Sequence, residues 1–186
     1  MNIALILASN RPERQSNKPA FYIAEKLRAA GHTVDFLDLM TLDLPLFNDS
    51  PERINTEQVQ HFKKSIVAAD GYIAVVPEYN HQPSSSFKNA IDYLRNREFM
   101  NKPMGLVGVS DGQIGGARAI FVMRGSLPTF GTILLPTAVQ VGPVQDIFPD
   151  EKTCTSPKVE GSINKMLREL ELYVPALATI REELAK

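Results

Sequence analysis

Three short stretches hold most of the side chains that could do chemistry. The first is "ASNRPERQSNKPA", residues 8–20, where Ser9, Asn10 and Ser16 offer hydroxyl and amide donors and Arg11 and Arg14 add positive charge. It follows the apolar run Met1–Leu7 and precedes a helical pattern, so a helix N-terminus would add its own donors to the loop. Strands that end in such loops commonly handle phosphate. A pyrophosphate lying along the main chain would require glycine here, and the loop has none. Its side chains suit a compact terminal phosphomonoester of the FMN type better than a dinucleotide. The alternative is a solvated loop in which a serine or asparagine caps the helix.

The second stretch, "PEYNHQPSSS", places Tyr79 and His81 as flat surfaces, while Asn80 and backbone amides can donate to the carbonyls or ring nitrogens of a planar heterocycle. Glu78 serves either such a site or a helix dipole and salt bridge, and His81 reads as a surface histidine before a catalyst. The serines read as helix caps, since no base accompanies them in a G-x-S-x-G context. The third stretch, "GVSDGQIGGARAI", lets the main chain approach a ligand at Gly112 and supplies the Ser110 hydroxyl. Gly116 reads as helix-sheet packing. Arg14, Gln113 and Arg118 are candidates for a nucleotide 2′-phosphate, with solvated side chains as the alternative.

These loops need a frame. At 186 residues with 44% hydrophobic content the chain has the size and core of one domain, residues 1–186, and neither a repeat nor a linker interrupts it. A net charge of -1 gives no general attraction to nucleic acid or an anionic membrane. The single cysteine, Cys154, excludes an internal disulfide, and it forms no metal-type spacing with His32, His61 and His81. The opening "MNIALILAS" lacks a basic leader and is too short to span a bilayer, so a buried strand and a cytoplasmic protein are expected.

Apolar runs alternate with helical patterns. Strands are predicted at Ile3–Leu7, "HTVDFLDL", "GYIAVVP", "MGLVGVS" and "GTILLPTAVQV", the last marked as an edge by Pro136. The third is a continuous apolar run and therefore central. Helical faces are predicted at Ala20, Ile23, Ala24 and Leu27, stopped by Gly31, and at Val59, Phe62 and Ile66. Two more follow at Phe87, Ala90, Ile91 and Leu94, and at Ala117, Ile120, Phe121 and Leu127. A last stripe runs from Ile163 to Leu177 and is expected to kink or break at Pro175. The expected architecture is α/β: a three-layer, flavodoxin-like fold with five parallel strands in order 2-1-3-4-5 and helices on both faces. In that order the three polar loops meet beside the switch point. The loop after strand two, "MTLDLPLFND", reads as a packed connection and not as part of a site.

Taken together, Ser9-x-Arg11 with Ser16, "PEYN" with "KNAIDYL" at Lys88–Leu94, and Ser110-x-Gly112-x-x-Gly115-Gly116 resemble the NADPH-dependent FMN reductase family, over nearly the whole chain. The family has chromate reductase, quinone reductase and azoreductase relatives. The resemblance implies that Ser9, Arg11, Gln15, Ser16 and Asn17 hold the FMN phosphate. It places Pro77, Glu78, Tyr79 and Asn80 along the isoalloxazine ring, and Ser110, Gly112 and Gly115 near its pyrimidine edge. Ala8, Pro83 and Ser85 depart from the family pattern. It further implies ping-pong transfer from NADPH or NADH through FMN to flavin, quinone, azo or metal-oxyanion acceptors, with no catalytic side chain and no metal. A homodimer or homotetramer is implied, with the helices after the Tyr79 loop at the interface. An electron carrier of flavodoxin type, or a non-catalytic FMN-binding protein, would use the same frame.

Overall fold

The computed structural model describes residues 1–184 and 186. In chain order the elements are β1 (Asn2–Leu7), α1 (Asn17–Ala29), β2 (Thr33–Asp38), α2 (Leu39–Leu42), α3 (Pro51–Ile54), α4 (Glu57–Ala68) and β3 (Gly71–Tyr79). There follow β4 (Gln82–Pro83), α5 (Ser85–Asp92), α6 (Asn96–Phe99), β5 (Pro103–Val109) and α7 (Ala117–Ser126). A 3-10 turn (Leu127–Phe130), β6 (Ile133–Val141), α8 (Val144–Ile147) and α9 (Pro157–Leu184) complete the chain.

The main sheet runs β2-β1-β3-β5-β6 with every pairing parallel, which leaves β3 in the centre and the Pro136 strand at an edge. One correction to the five-strand expectation is needed. A sixth strand, β4, turns back antiparallel on β3, pairing Glu78 with Pro83 and Tyr79 with Gln82. The sequence hid it because a two-residue strand has no periodicity to read. Pro136 sits in a register irregularity opposite Met104–Leu106, where its missing N–H breaks no ladder bond that an interior strand would need.

Alternation along the strands divides the core. Ala4, Ile6 and Ala8 face a cluster with Phe62 and Ile66 of α4, Phe87, Ala90 and Ile91 of α5, and Ala119, Ile120 and Met123 of α7. Ile3, Leu5 and Leu7 face the other layer, with Ile23, Ala24 and Leu27 of α1 and Ile163, Met166 and Leu170 of α9. Burial on both faces explains why β1, β3 and β5 read as continuous apolar runs, while the edge strands β2 and β6 keep exposed positions.

One helical expectation is corrected, and of the two alternatives at Pro175 the break does not occur. Phe121 is 80% exposed, and α7 buries Ala119, Ile120 and Met123 in its place, because the helix starts after two left-handed glycines that set its rotation. The last helix continues through Pro175 as one unit of 28 residues. Pro175 lies on the exposed side, so the Glu171 carbonyl it leaves without an amide partner is on the solvent side of the helix. Among the described residues, no helix is long and apolar enough to cross a membrane.

Candidate functional site

The carboxyl ends of β1, β3 and β5 are neighbours, so their loops share one rim of the sheet. One residue past β1, the Ala8 amide still donates to Val75 at 2.9 Å before the chain turns. Ser9 is fully buried, and its hydroxyl lies 2.9 Å from the Tyr79 hydroxyl, joining the first loop to the second. Arg11 lies over the Tyr79 ring, 5.5 Å from its centroid.

Arg14 folds back as a brace. Its Nη1 donates to the Ser9 carbonyl at 2.7 Å, and its Nη2 pairs with the Asp38 carboxylate. Asp38 also accepts from the Met40 amide at 3.0 Å, capping α2. Sequence reasoning missed Asp38; the available signal was an acid at the carboxyl end of strand two, beside an arginine-bearing loop. The pairing neutralises Arg14 in place, which weakens its candidacy for a 2′-phosphate.

Ser16 stands at the N-cap of α1 and is 2% exposed, yet its hydroxyl makes no capping bond and no other hydrogen bond. Leaving a buried hydroxyl unpaired costs about 1–3 kcal/mol. Asn17 repeats the pattern: Nδ2 donates to Glu151 at 3.0 Å, while its buried Oδ1 has no partner. The Ser16 hydroxyl and the first-turn amides of α1 can donate to a ligand with strong acceptor oxygens, whereas Asn17 Oδ1 can only accept.

In the second loop, Asn80 and His81 both take positive φ, 49° and 65°, and form the two-residue turn between β3 and β4. Asparagine tolerates that conformation well, and the turn fixes Tyr79 at the rim. Glu78 lines the cleft and is tied to α7. Its carboxylate accepts from the amides of Arg118 at 3.0 Å and Ala119 at 3.3 Å, capping α7, and from the Arg118 guanidinium at 3.3 Å. Burial pushes its pKa up, but these amide bonds and the arginine outweigh it and hold the carboxyl below the usual range. Its side chain thus caps α7 while also lining the cleft. Of the serines, Ser84 caps α5, its hydroxyl accepting from Phe87 and donating to the Ala8 carbonyl, while Ser86 donates to the same carbonyl at 3.2 Å.

The third loop is held by Ser110, whose hydroxyl donates to the Gly112 carbonyl at 2.9 Å and accepts from the Gly116 amide at 3.2 Å. Gly116 has φ +75°, and a Cβ there would lie 2.4 Å from the Val109 nitrogen, so it packs helix on strand. Gly115 is similar, with φ +62° and a Cβ position 2.9 Å from the Gln140 carbonyl carbon. Gly112 differs: a Cβ there would meet nothing within 4 Å, leaving the main chain open to approach. The Gly142–Pro143 turn, another feature missed from sequence, backs this loop with a Cβ position only 2.1 Å from the Gly112 carbonyl oxygen.

Arg11, Gln15, Ser16, Pro77, Glu78, Tyr79 and Ser110 line one cleft, together with Val144. Ser9 lies beneath the rim, Asn17 in the first turn of α1, and Asn80, Gly112 and Gly115 outside the lining. The buried, unpartnered Ser16 hydroxyl at a helix N-terminus, a flat Tyr79 and an open Gly112 fit the phosphate, ring and edge of FMN.

Comparison with known proteins agrees with that fit. Residues 1–146 match the family model described as NADPH-dependent FMN reductase. An NADPH azoreductase of Bacillus sp. (strain OY1-2) is 28% identical over 184 residues, spanning 99% of this chain and 98% of the relative. A quinone reductase of Pseudomonas putida is 31% identical over 131 residues, covering 68% and 69% of the two chains. The structure of a flavoenzyme NAD(P)H:(acceptor) oxidoreductase from Paracoccus denitrificans superposes with a TM-score of 0.73 at 24% identity, covering 96% of this chain and 97% of that one, and so shares the fold. On the family match, this oxidoreductase, with FMN and NAD(P)H as its cofactors, belongs to the NADPH-dependent FMN reductase family.

Proposed function

We propose that this protein takes reducing equivalents from NAD(P)H in a ping-pong cycle and passes them through FMN to small-molecule acceptors of the quinone and azo classes. The observation that carries this reading is the buried, unpartnered Ser16 hydroxyl at the start of α1, in the cleft that Arg11 and Tyr79 share. FMN, when bound, supplies the hydride-accepting ring, which is why no side chain need act as acid or base. The chain's part is to bind and orient. Ser9, Arg11, Gln15, Ser16 and Asn17 would take the phosphate end, Pro77–Asn80 would support the ring, and the Ser110–Gly115 turn would meet its edge. The cleft encloses only about 110 Å³, enough for a phosphate head, so the heterocycle would lie at the open rim where nicotinamide and acceptor can each reach it in turn.

The whole activity would reside in one domain working in the cytoplasm, where thiols such as Cys154 stay reduced. Pairing with a second copy is supported by an apolar groove of about 350 Å³ lined by Phe87, Ile91, Met123, Leu127 and Phe130 between α5 and α7, and by the exposed Phe121 on α7. The relatives named azoreductase and quinone reductase support the acceptor classes. The test is the absorbance spectrum of protein titrated with FMN and then given NADPH without oxygen. Flavin bands that bleach support the reading. Bands that persist with both NADPH and NADH point to an electron carrier, and failure to bind FMN overturns the site.

A further inference from the structure

The start of α1 has an acidic neighbour brought from far along the chain. Asn17 Nδ2 donates to Glu151 Oε1 at 3.0 Å, across 134 positions. An ionised carboxylate only accepts, so it dictates which way the Asn17 amide points: the nitrogen toward Glu151 and the oxygen away from it. That oxygen is buried and has no partner. A buried acceptor left unpaired is unfavourable, and the bond to Glu151 is what holds it there.

Glu151 is exposed, yet the loop that carries it is fixed. Asp150 Oδ1 accepts from the amides of Lys152 at 2.7 Å and Thr153 at 2.8 Å, and Oδ2 from the Thr153 hydroxyl at 3.2 Å. On one side Phe148 is fully buried and packs edge-on against Tyr22 of α1, 5.4 Å between centroids. On the other side the Thr155 amide donates to the Ile147 carbonyl at 2.9 Å, and its hydroxyl to the Asp146 carbonyl at 2.7 Å. Helix α1 has no acid in its own first turn, so Glu151 supplies the negative charge that a helix start favours. One residue earlier, the buried Ser16 hydroxyl stays unpaired.

A phosphate held by Ser16 and the first-turn amides would therefore meet a competitor. The donor of Asn17 is already taken, its oxygen repels the phosphate oxygens, and a second anion stands at the same helix start. We propose that Glu151 sets how strongly the site prefers a phosphorylated flavin: it occupies the Asn17 donor in place of the phosphate, so that FMN is held reversibly and distinguished less sharply from riboflavin. The inference rests on the FMN reading above and adds to it a competing group within the chain. For Asn17 to serve the phosphate, its amide must leave Glu151 and turn over.

The test is fluorescence titration of the FMN-free protein with FMN and with riboflavin, in the parent, Glu151→Gln and Glu151→Ala. Riboflavin keeps the ring and lacks the phosphate, so it reports every contact except the one in question. Glu151→Gln removes the charge, and its amide can donate to Asn17 Oδ1, which turns Nδ2 toward the phosphate. It is expected to lower the FMN dissociation constant about three- to ten-fold at low salt and to leave that of riboflavin unchanged. Glu151→Ala should act in the same direction. In an Asn17→Ala background the glutamine substitution should gain less, because no donor remains to be freed. Parent-like or weaker FMN binding in both Glu151 variants would overturn the proposal. An equal shift for FMN and riboflavin would overturn it too, since the loop and not the charge would then be responsible. If the parent protein binds neither flavin, the FMN reading itself fails; parent binding with unaffected variants keeps that reading and removes only the role of Glu151.

Discussion

The hydroxyls of Ser9 and Tyr79 lie 2.9 Å apart, joining residues 70 positions distant in the chain across the rim of the sheet. The bond ties the phosphate loop to the residue expected beneath the ring, so each positions the other. Tyr79→Phe and Ser9→Ala should each raise the FMN dissociation constant several-fold. In the double variant the losses should fall short of their sum, with a coupling energy of about 0.5–1.5 kcal/mol. Fluorescence titration of FMN against the four proteins reads the cycle, and strictly additive losses would dismiss the bond as incidental.

Ser16 offers a sharper contrast between stability and binding. Its hydroxyl is buried and unpartnered, so Ser16→Ala removes an unsatisfied group and should leave the FMN-free protein as stable as before or slightly more so. The same change removes a donor to a phosphate, worth about 1.5–3 kcal/mol, or roughly 10- to 150-fold in FMN affinity. Melting of the FMN-free protein and FMN titration should therefore move in opposite directions. A drop in both would mean that Ser16 is a structural cap.

Glu78 should leave its mark on the pH dependence of stability. Burial raises its pKa, but the amides of Ala119 and Arg118 and the Arg118 guanidinium together hold the folded value below the ordinary one. A depressed folded pKa means that the unfolded state binds the proton more readily. The contribution is therefore complete above the unfolded glutamate value, about 4.3, and is lost as the pH falls through the lower folded value. Glu78→Gln should melt lower than the parent at neutral pH, and the gap should narrow on acidification. A gap that stays constant from about pH 7 to pH 3 would rule out the charged cap.

The layers of the fold were legible because their cause is local: apolar runs buried on both faces, 3.6-residue stripes on the helices, and Pro136 where an edge tolerates it. Residue type alone names Ser16 and Tyr79, and the structure brings both to one cleft. What escaped was set by tertiary context. Phe121 and Ile120 are equally apolar neighbours, and only the rotation of α7 decides which is buried. Asp38 and Arg14 lie 24 positions apart, and their ion pair depends on β2 lying beside β1. Residues 44–47, outside any helix or strand, take their position from main-chain hydrogen bonds to Asn89 and Tyr93, more than 40 positions later, and to Arg53.

Glycines 112 and 116 share one turn but should respond oppositely to the same substitution. At Gly116, a Cβ would lie 2.4 Å from the Val109 nitrogen at φ +75°, and the main chain of a central strand cannot give way. Gly116→Ala should thus cost about 2 kcal/mol or more in stability, combining left-handed strain with a backbone clash. At Gly112 the space is empty and φ is not positive, so alanine should melt like the parent. If Gly112 is open because a ligand edge approaches there, Gly112→Ala should weaken FMN binding by about ten-fold while the FMN-free fold is untouched. Denaturant melts of both FMN-free variants, paired with FMN titration of Gly112→Ala, separate the two roles. Parent-like FMN affinity in Gly112→Ala would move the pyrimidine edge of the cofactor away from this turn.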